Sequence, residues 1–201
     1  MRPTIEELKS PNYFLLHKVD HREFNTFSDN LAWKNLYLKM AYWSLLSAFV
    51  LATTLLIFQI EASILTKLLW TTLGFFTAIV LVLPHEFLHF LSYKYFGAQD
   101  VKINFYLSKT YVLTKADQFV VGKREIFWIA LIPFMVITII GLCFFITAGE
   151  NWQIAISTSL LFHTSICQAD FRMVDFCFDK DGNVFHFDDL KKNATYFYRI
   201  R

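Results

Sequence analysis

Two histidines and a glutamate are packed into Pro84-His85-Glu86-Phe87-Leu88-His89 of a 201-residue chain. Side chains four residues apart lie on one face of a helix, so the imidazoles of His85 and His89 can take two corners of a tetrahedral Zn²⁺ site. Glu86 then stands beside the metal, where it can act as general base on an attacking water. Zn²⁺ is therefore the expected cofactor. Five residues alone recur by chance, so the elements around them must supply a third ligand and a suitable environment.

Those elements are apolar. Residues 40–60 carry no charge, and 21 residues rising about 1.5 Å each cross the ~30 Å hydrocarbon core of a bilayer. Residues 68–95 form a second span with the motif at its far end, and Pro84 is placed to bend it and tilt the histidine-bearing turn inward. Residues 126–147, broken by Pro133, make a third, and residues 152–178 a fourth. The fourth carries His163, Ser165, Cys167, Gln168 and Asp170. So many polar groups predict that one side faces protein or a water-filled cavity.

Between the second and third spans, residues 101–107 and 111–114 mix β-branched and aromatic side chains around Ser108-Lys109-Thr110, which predicts a hairpin. A strand beside a peptidase site can pair with an extended substrate backbone. In the tail, Phe176-Cys177-Phe178, an Asp-Gly turn within 179–183 and residues 184–187 predict a second, small hairpin. The expected fold class is an all-α membrane protein with four transmembrane helices and two small β-hairpins. Residues 1–39 form a cytoplasmic N-terminal arm, 40–178 the helical core and 179–201 a cytoplasmic tail.

Composition points the same way, with 55% hydrophobic residues, 18% aromatic, 18% charged and 23 Phe. A net charge of +2 makes no case for a nucleic-acid partner. Lys and Arg number six in residues 1–39, five in 97–124 and six in 171–201, against Lys67 alone in the two short opposite loops. That bias predicts a multi-pass protein of the cell membrane, embedded in the lipid bilayer, with both termini cytoplasmic. Cys143, Cys167 and Cys177 are too scattered for a disulfide framework or a metal knuckle. The first 35 residues are polar and show no cleavable signal, so insertion is expected to rely on the internal apolar segments. Thr4 and Glu7 fit a capping box, and His17 and His21 read as surface residues. Nothing in the sequence sets an oligomeric state.

For the third ligand, depth is the guide. His85 lies 17 residues past Leu68 and Asp170 lies 18 past Trp152, about 25 and 27 Å along their helices, which puts them level on the cytoplasmic side. Asp170 leads, Asp175 is second and His163 third. His163 could instead donate to the substrate carbonyl or oxyanion as a transition-state stabiliser. Ser92 and Tyr95 occupy the positions where a metzincin would carry Gly and a third His. The chemistry expected is hydrolysis of a peptide bond in a membrane-associated protein or peptide. Glu86 takes the proton from water, the metal polarises the carbonyl, and Glu86 returns the proton to the leaving amine. The alternative is a non-hydrolytic membrane protein that uses the same zinc structurally or as a sensor.

His85-Glu86-Phe87-Leu88-His89 in a second membrane helix, the proline of Ala130-Leu131-Ile132-Pro133 in the third and Ser165 through Asp170 in the fourth resemble the bacterial zincin peptidases long filed as a domain of unknown function. That family is similar in turn to the site-2 proteases, which are intramembrane zinc metalloproteases. The resemblance covers roughly residues 65–190. It implies Zn²⁺ ligands at His85, His89 and Asp170, Glu86 as catalytic base, and a bacterial source. Site-2 proteases usually carry Asn-Pro-x-Gly and Leu-Asp-Gly, whereas here Asp170 stands in Gln168-Ala169-Asp170-Phe171.

Overall fold

A computed structural model of the chain describes residues 2–106, 111–178 and 184–201. The N-terminal arm opens with helix α1 (Ile5–Leu8), where Thr4 and Glu7 form the reciprocal capping box that their spacing predicts. Strand β1 (Tyr13–Asp20), a 3₁₀ turn (His21–Glu23) and helix α2 (Phe24–Asn30) follow. Helix α3 (Leu36–Gln59) starts where the Asn35 side chain accepts the backbone N–H groups of Tyr37 and Leu38. Those donors have no partner inside the helix, so the cap satisfies them.

The second apolar segment is two helices, α4 (Ile64–Val80) and α5 (Val82–Tyr95), joined at Leu81. Pro84 accounts for the join. It has no N–H to offer the Val80 carbonyl, and its ring excludes that carbonyl from the helical position. Helix α6 (Lys123–Thr147) instead runs unbroken through Pro133, contrary to the expected break. In apolar surroundings the backbone finds no partner outside the ladder, so one missing bond does not open it. The expected fourth span is also divided, at Cys167, into α7 (Glu150–Ile166) and α8 (Gln168–Cys177). Among the described residues, three helical segments are long and apolar enough to cross a membrane, namely Leu36–Gln59, Ile64–Tyr95 and Lys123–Thr147.

Helix α4 lies directly against α7. A Cβ at Gly74 would stand 2.4 Å from the Ala155 carbonyl oxygen and 2.7 Å from the Thr158 Cβ. Only glycine permits that approach, and the Ser159 hydroxyl fastens it by donating to the Gly74 carbonyl at 2.8 Å.

Two antiparallel sheets cap one end of the helices, so the fold is mainly helical with small sheets rather than all-α. Strands β2 (Val101–Tyr106) and β3 (Tyr111–Ala116) pair with each other, while residues 107–110, expected as their turn, lie outside the described residues. The other sheet runs β1-β5-β4, with β4 (Val184–Asp189) and β5 (Ala194–Ile200). The tail hairpin is therefore β4 with β5. Phe176 and Cys177 belong to α8, and the Asp-Gly turn lies outside the described residues. The arm and tail, expected as separate pieces, are joined through β1 and β5. Bridges at Asp117 with Asp188 and Val121 with His186 connect the two sheets. Val101, Ala116, Ile129, Met173, Val184 and Phe197 share the core where sheets and helices meet.

Candidate metal centre

His85, Glu86 and His89 lie in α5, just past the join at Leu81, and all three are buried. The Nε2 atoms of His85 and His89 stand 3.0 Å apart. Asp170, in the first turn of α8, reaches both: Oδ2 is 3.2 Å from His85 Nε2 and Oδ1 is 3.5 Å from His89 Nε2. Asp170 stands three residues past Cys167, the residue at which α7 ends and α8 begins.

Donor type and spacing both fit Zn²⁺. The Nδ1 of His89 is 2.8 Å from the Ile129 carbonyl. A carbonyl only accepts, so Nδ1 carries the hydrogen and Nε2 presents its lone pair. Two ligands about 2.0–2.1 Å from a tetrahedral Zn²⁺ stand about 3.3 Å apart, close to the three separations here. Lone pairs of two imidazoles and a carboxylate converge, an arrangement that a cation would stabilise.

Glu86 does not join that cluster. The Thr114 hydroxyl on β3 holds it, 2.8 Å from Oε2 and 2.9 Å from the Glu86 carbonyl oxygen. Glu86, the three clustered residues and the Tyr111 to Lys115 strand line one cavity of about 410 Å³. Its remaining wall is largely apolar, including Val82, Ile126, Ile129 and Met173.

Behind β3, a buried polar network locks the strand in place. Asp188 Oδ1 is 3.5 Å from Lys115 Nζ, 3.5 Å from His21 Nε2 and 2.5 Å from the Thr195 hydroxyl, which donates to it. Burial alone would raise the Asp188 pKa, but Lys115, His21 and Thr195 more than offset it and hold the carboxyl well below its usual range. Burial pulls Lys115 down, and pulls the neighbouring His186 down to about 4. His21 is thus a buried partner of Asp188 rather than a surface residue.

The other candidates lie elsewhere. Asp175 is buried on α8, where Oδ2 and Oδ1 accept the backbone N–H groups of Lys34 and Asn35 at 2.6 and 2.8 Å. It anchors the start of α3 and is absent from the cluster. His163 sits on the far side of His85, with its Nε2 3.2 Å from His85 Nδ1, and does not line the cavity. Cys167 Sγ lies 3.6 Å from His163 Nε2 and 3.8 Å from His85 Nδ1. His163, Cys167 and His85 form a second close group beside the first. The four-residue spacing of His163 and Cys167 was a sequence signal for that pairing. Thr114 and Lys115 carried none, because only strand packing brings them to α5 and β4.

A helix-borne pair of histidines joined by a carboxylate from a neighbouring helix is a donor set of the zinc-peptidase kind. A family model described as "Putative zincin peptidase" matches residues 78–182, and the chain belongs to that family. The match spans α5 through α8 and includes every residue of both close groups. Neither the curated proteins nor the solved structures gave a match.

Proposed function

We propose that the protein is a membrane-embedded zinc metalloendopeptidase that cuts a membrane-associated protein near the cytoplasmic face. His85, His89 and Asp170 hold the metal and Glu86 is the general base. The observation that carries this reading is the convergence of three lone-pair donors at 3.0, 3.2 and 3.5 Å on the wall of a cavity that Glu86 shares.

When bound, zinc would supply Lewis acidity, lowering the pKa of water and polarising a carbonyl. Glu86 takes the proton of the attacking water on its carboxylate and delivers it to the leaving amine. Thr114 aims that carboxylate, and the apolar walls limit competing water. The cavity-facing residues of β3 offer a strand against which an extended substrate backbone can pair.

Two observations support a membrane setting with four crossings. Strand β1 precedes α3 and β5 follows α8, yet they pair directly. A chain whose flanking segments share one sheet crosses a bilayer an even number of times. Three segments have the length for it. Helix α7, with 17 residues and a length of about 25 Å, supplies the fourth crossing. The sheet end also carries the three Lys- and Arg-rich segments, which supports reading it as the cytoplasmic end.

The test uses full-length protein in detergent or liposomes. Glu86→Ala should keep its zinc and lose cleavage, with substrates sought by comparing membrane proteomes that contain active or Glu86→Ala protein. Unchanged cleavage by that variant would sink the mechanism. Full zinc with no cleavage by either form would favour a structural or sensing metal.

A further inference from the structure

We propose that His163 is a positioning residue of the metal centre. Its Nε2 accepts the Nδ1–H of His85 and so fixes the tautomer in which His85 turns its Nε2 lone pair toward the metal. The proposal rests on the zinc reading above and goes beyond it by giving this histidine a task other than transition-state stabilisation.

A neutral imidazole has one N–H, so a histidine that ligates through Nε2 must keep its hydrogen on Nδ1 and needs an acceptor there. His89 has a fixed one in the Ile129 carbonyl. Among the described residues, no carbonyl pairs with Nδ1 of His85, and its partners there are His163 Nε2 at 3.2 Å and Cys167 Sγ at 3.8 Å. Sulfur is the weaker acceptor, which leaves the imidazole as the group that can hold the tautomer. To accept at Nε2, His163 must carry its own hydrogen on Nδ1, and Cys167 Sγ stands 3.9 Å from that atom.

The acceptor is also held firmly. His163 is 1% exposed and lies one turn beyond Ser159, whose hydroxyl binds the Gly74 carbonyl. The close crossing of α4 and α7 thereby sets the distance from His163 to His85. Two other roles fit less well. His163 is separated from the cavity by His85, so it cannot reach a substrate oxyanion there. A second metal between His85, His163 and Cys167 would require His85 to surrender both nitrogens to metals, leaving no hydrogen to fix either orientation.

Zinc affinity of full-length protein in detergent, measured by competition with a chromophoric chelator, tests this without a substrate. Wild type should bind one zinc, and His85→Ala and Asp170→Ala should not bind it tightly. His163→Leu, which has no acceptor, should bind about 10- to 100-fold more weakly. His163→Gln, which puts an amide oxygen near the Nε2 position, should recover to within several-fold of wild type. Equal affinity of His163→Leu and wild type would overturn the proposal. So would a His163→Gln variant as weak as His163→Leu, since packing alone would then explain the loss. A second zinc that disappears in Cys167→Ser would overturn it in favour of a second metal site. No zinc binding by wild type would instead defeat the underlying zinc reading. If His163→Leu does not fold, ¹⁵N-histidine NMR of zinc-loaded wild type decides, because hydrogen on Nδ1 of His85 is required.

Discussion

Replacing Thr114 by valine changes one hydroxyl into a methyl group of nearly the same volume. The hydroxyl's single hydrogen is shared between Glu86 Oε2 at 2.8 Å and the Glu86 carbonyl at 2.9 Å. A hydrogen bond to a charged group contributes about 1.5–3 kcal/mol. Sharing argues for the lower half of that range, and each 1.36 kcal/mol of lost transition-state stabilisation is tenfold in rate. Thr114→Val should therefore lower kcat/KM about 10- to 50-fold. Zinc content should be unchanged, because Thr114 touches none of His85, His89 and Asp170. Thr114→Ser should restore most of the rate. The assay is cleavage of a reconstituted substrate alongside metal analysis of the same sample. A Thr114→Val rate within twofold of wild type, or a loss that serine does not repair, would refute the claim that this hydroxyl aims the base.

Asp175→Ala should lower Tm in detergent by several degrees while leaving one zinc per chain, because it removes the acceptor for two backbone N–H groups at the start of α3; loss of zinc would return Asp175 to the list of ligands. Gly74→Val should weaken both Tm and zinc affinity, since a side chain there meets the Ala155 carbonyl at 2.4 Å and pushes away the helix that carries His163. Stability should also fall with acid. His186 is neutral in the fold, with a pKa pulled down to about 4, whereas the unfolded chain takes up that proton near pH 6.5. Its contribution is full above that value and declines by up to about 1.4 kcal/mol per pH unit toward pH 4. In chelator-treated protein, His186→Gln should flatten that part of the Tm profile, and an unaltered slope would count against the burial argument.

What the sequence disclosed depended on range. The H-E-x-x-H spacing is local, so a helical repeat alone brings His85 and His89 together. Comparing helix depth placed Asp170 level with them, and the structure brings it within 3.5 Å of both. Depth could not separate Asp170 from Asp175, because that choice depends on the turn at Cys167 and on which face of α8 each carboxylate occupies. Prolines were legible only in part. Pro84 and Pro133 carry the same local defect, but the chain yields at Leu81 and stays helical through Pro133. Thr114 and the Lys115 to Asp188 pair could not be read at all, since they depend on pairings between distant segments. The union of β1 with β5 was hidden for the same reason: β1 has no partner near it in the sequence, and β5 reaches it from the opposite end of the chain.

That union also bears on biosynthesis. Tyr13 pairs with Ile200 and Asp20 with Ala194, so a ribosome makes β1 long before the strand that completes its sheet. In the interval every membrane-directed helix must be placed. Such long-range closure is slow and comes late. Strand β4, which clasps β3 through Asp188, is also made late. The strand that holds Glu86 through Thr114 is thus secured only after the helices are in place, and a nascent chain with both histidines already on their helix would still lack the hydroxyl that fixes the Glu86 carboxylate.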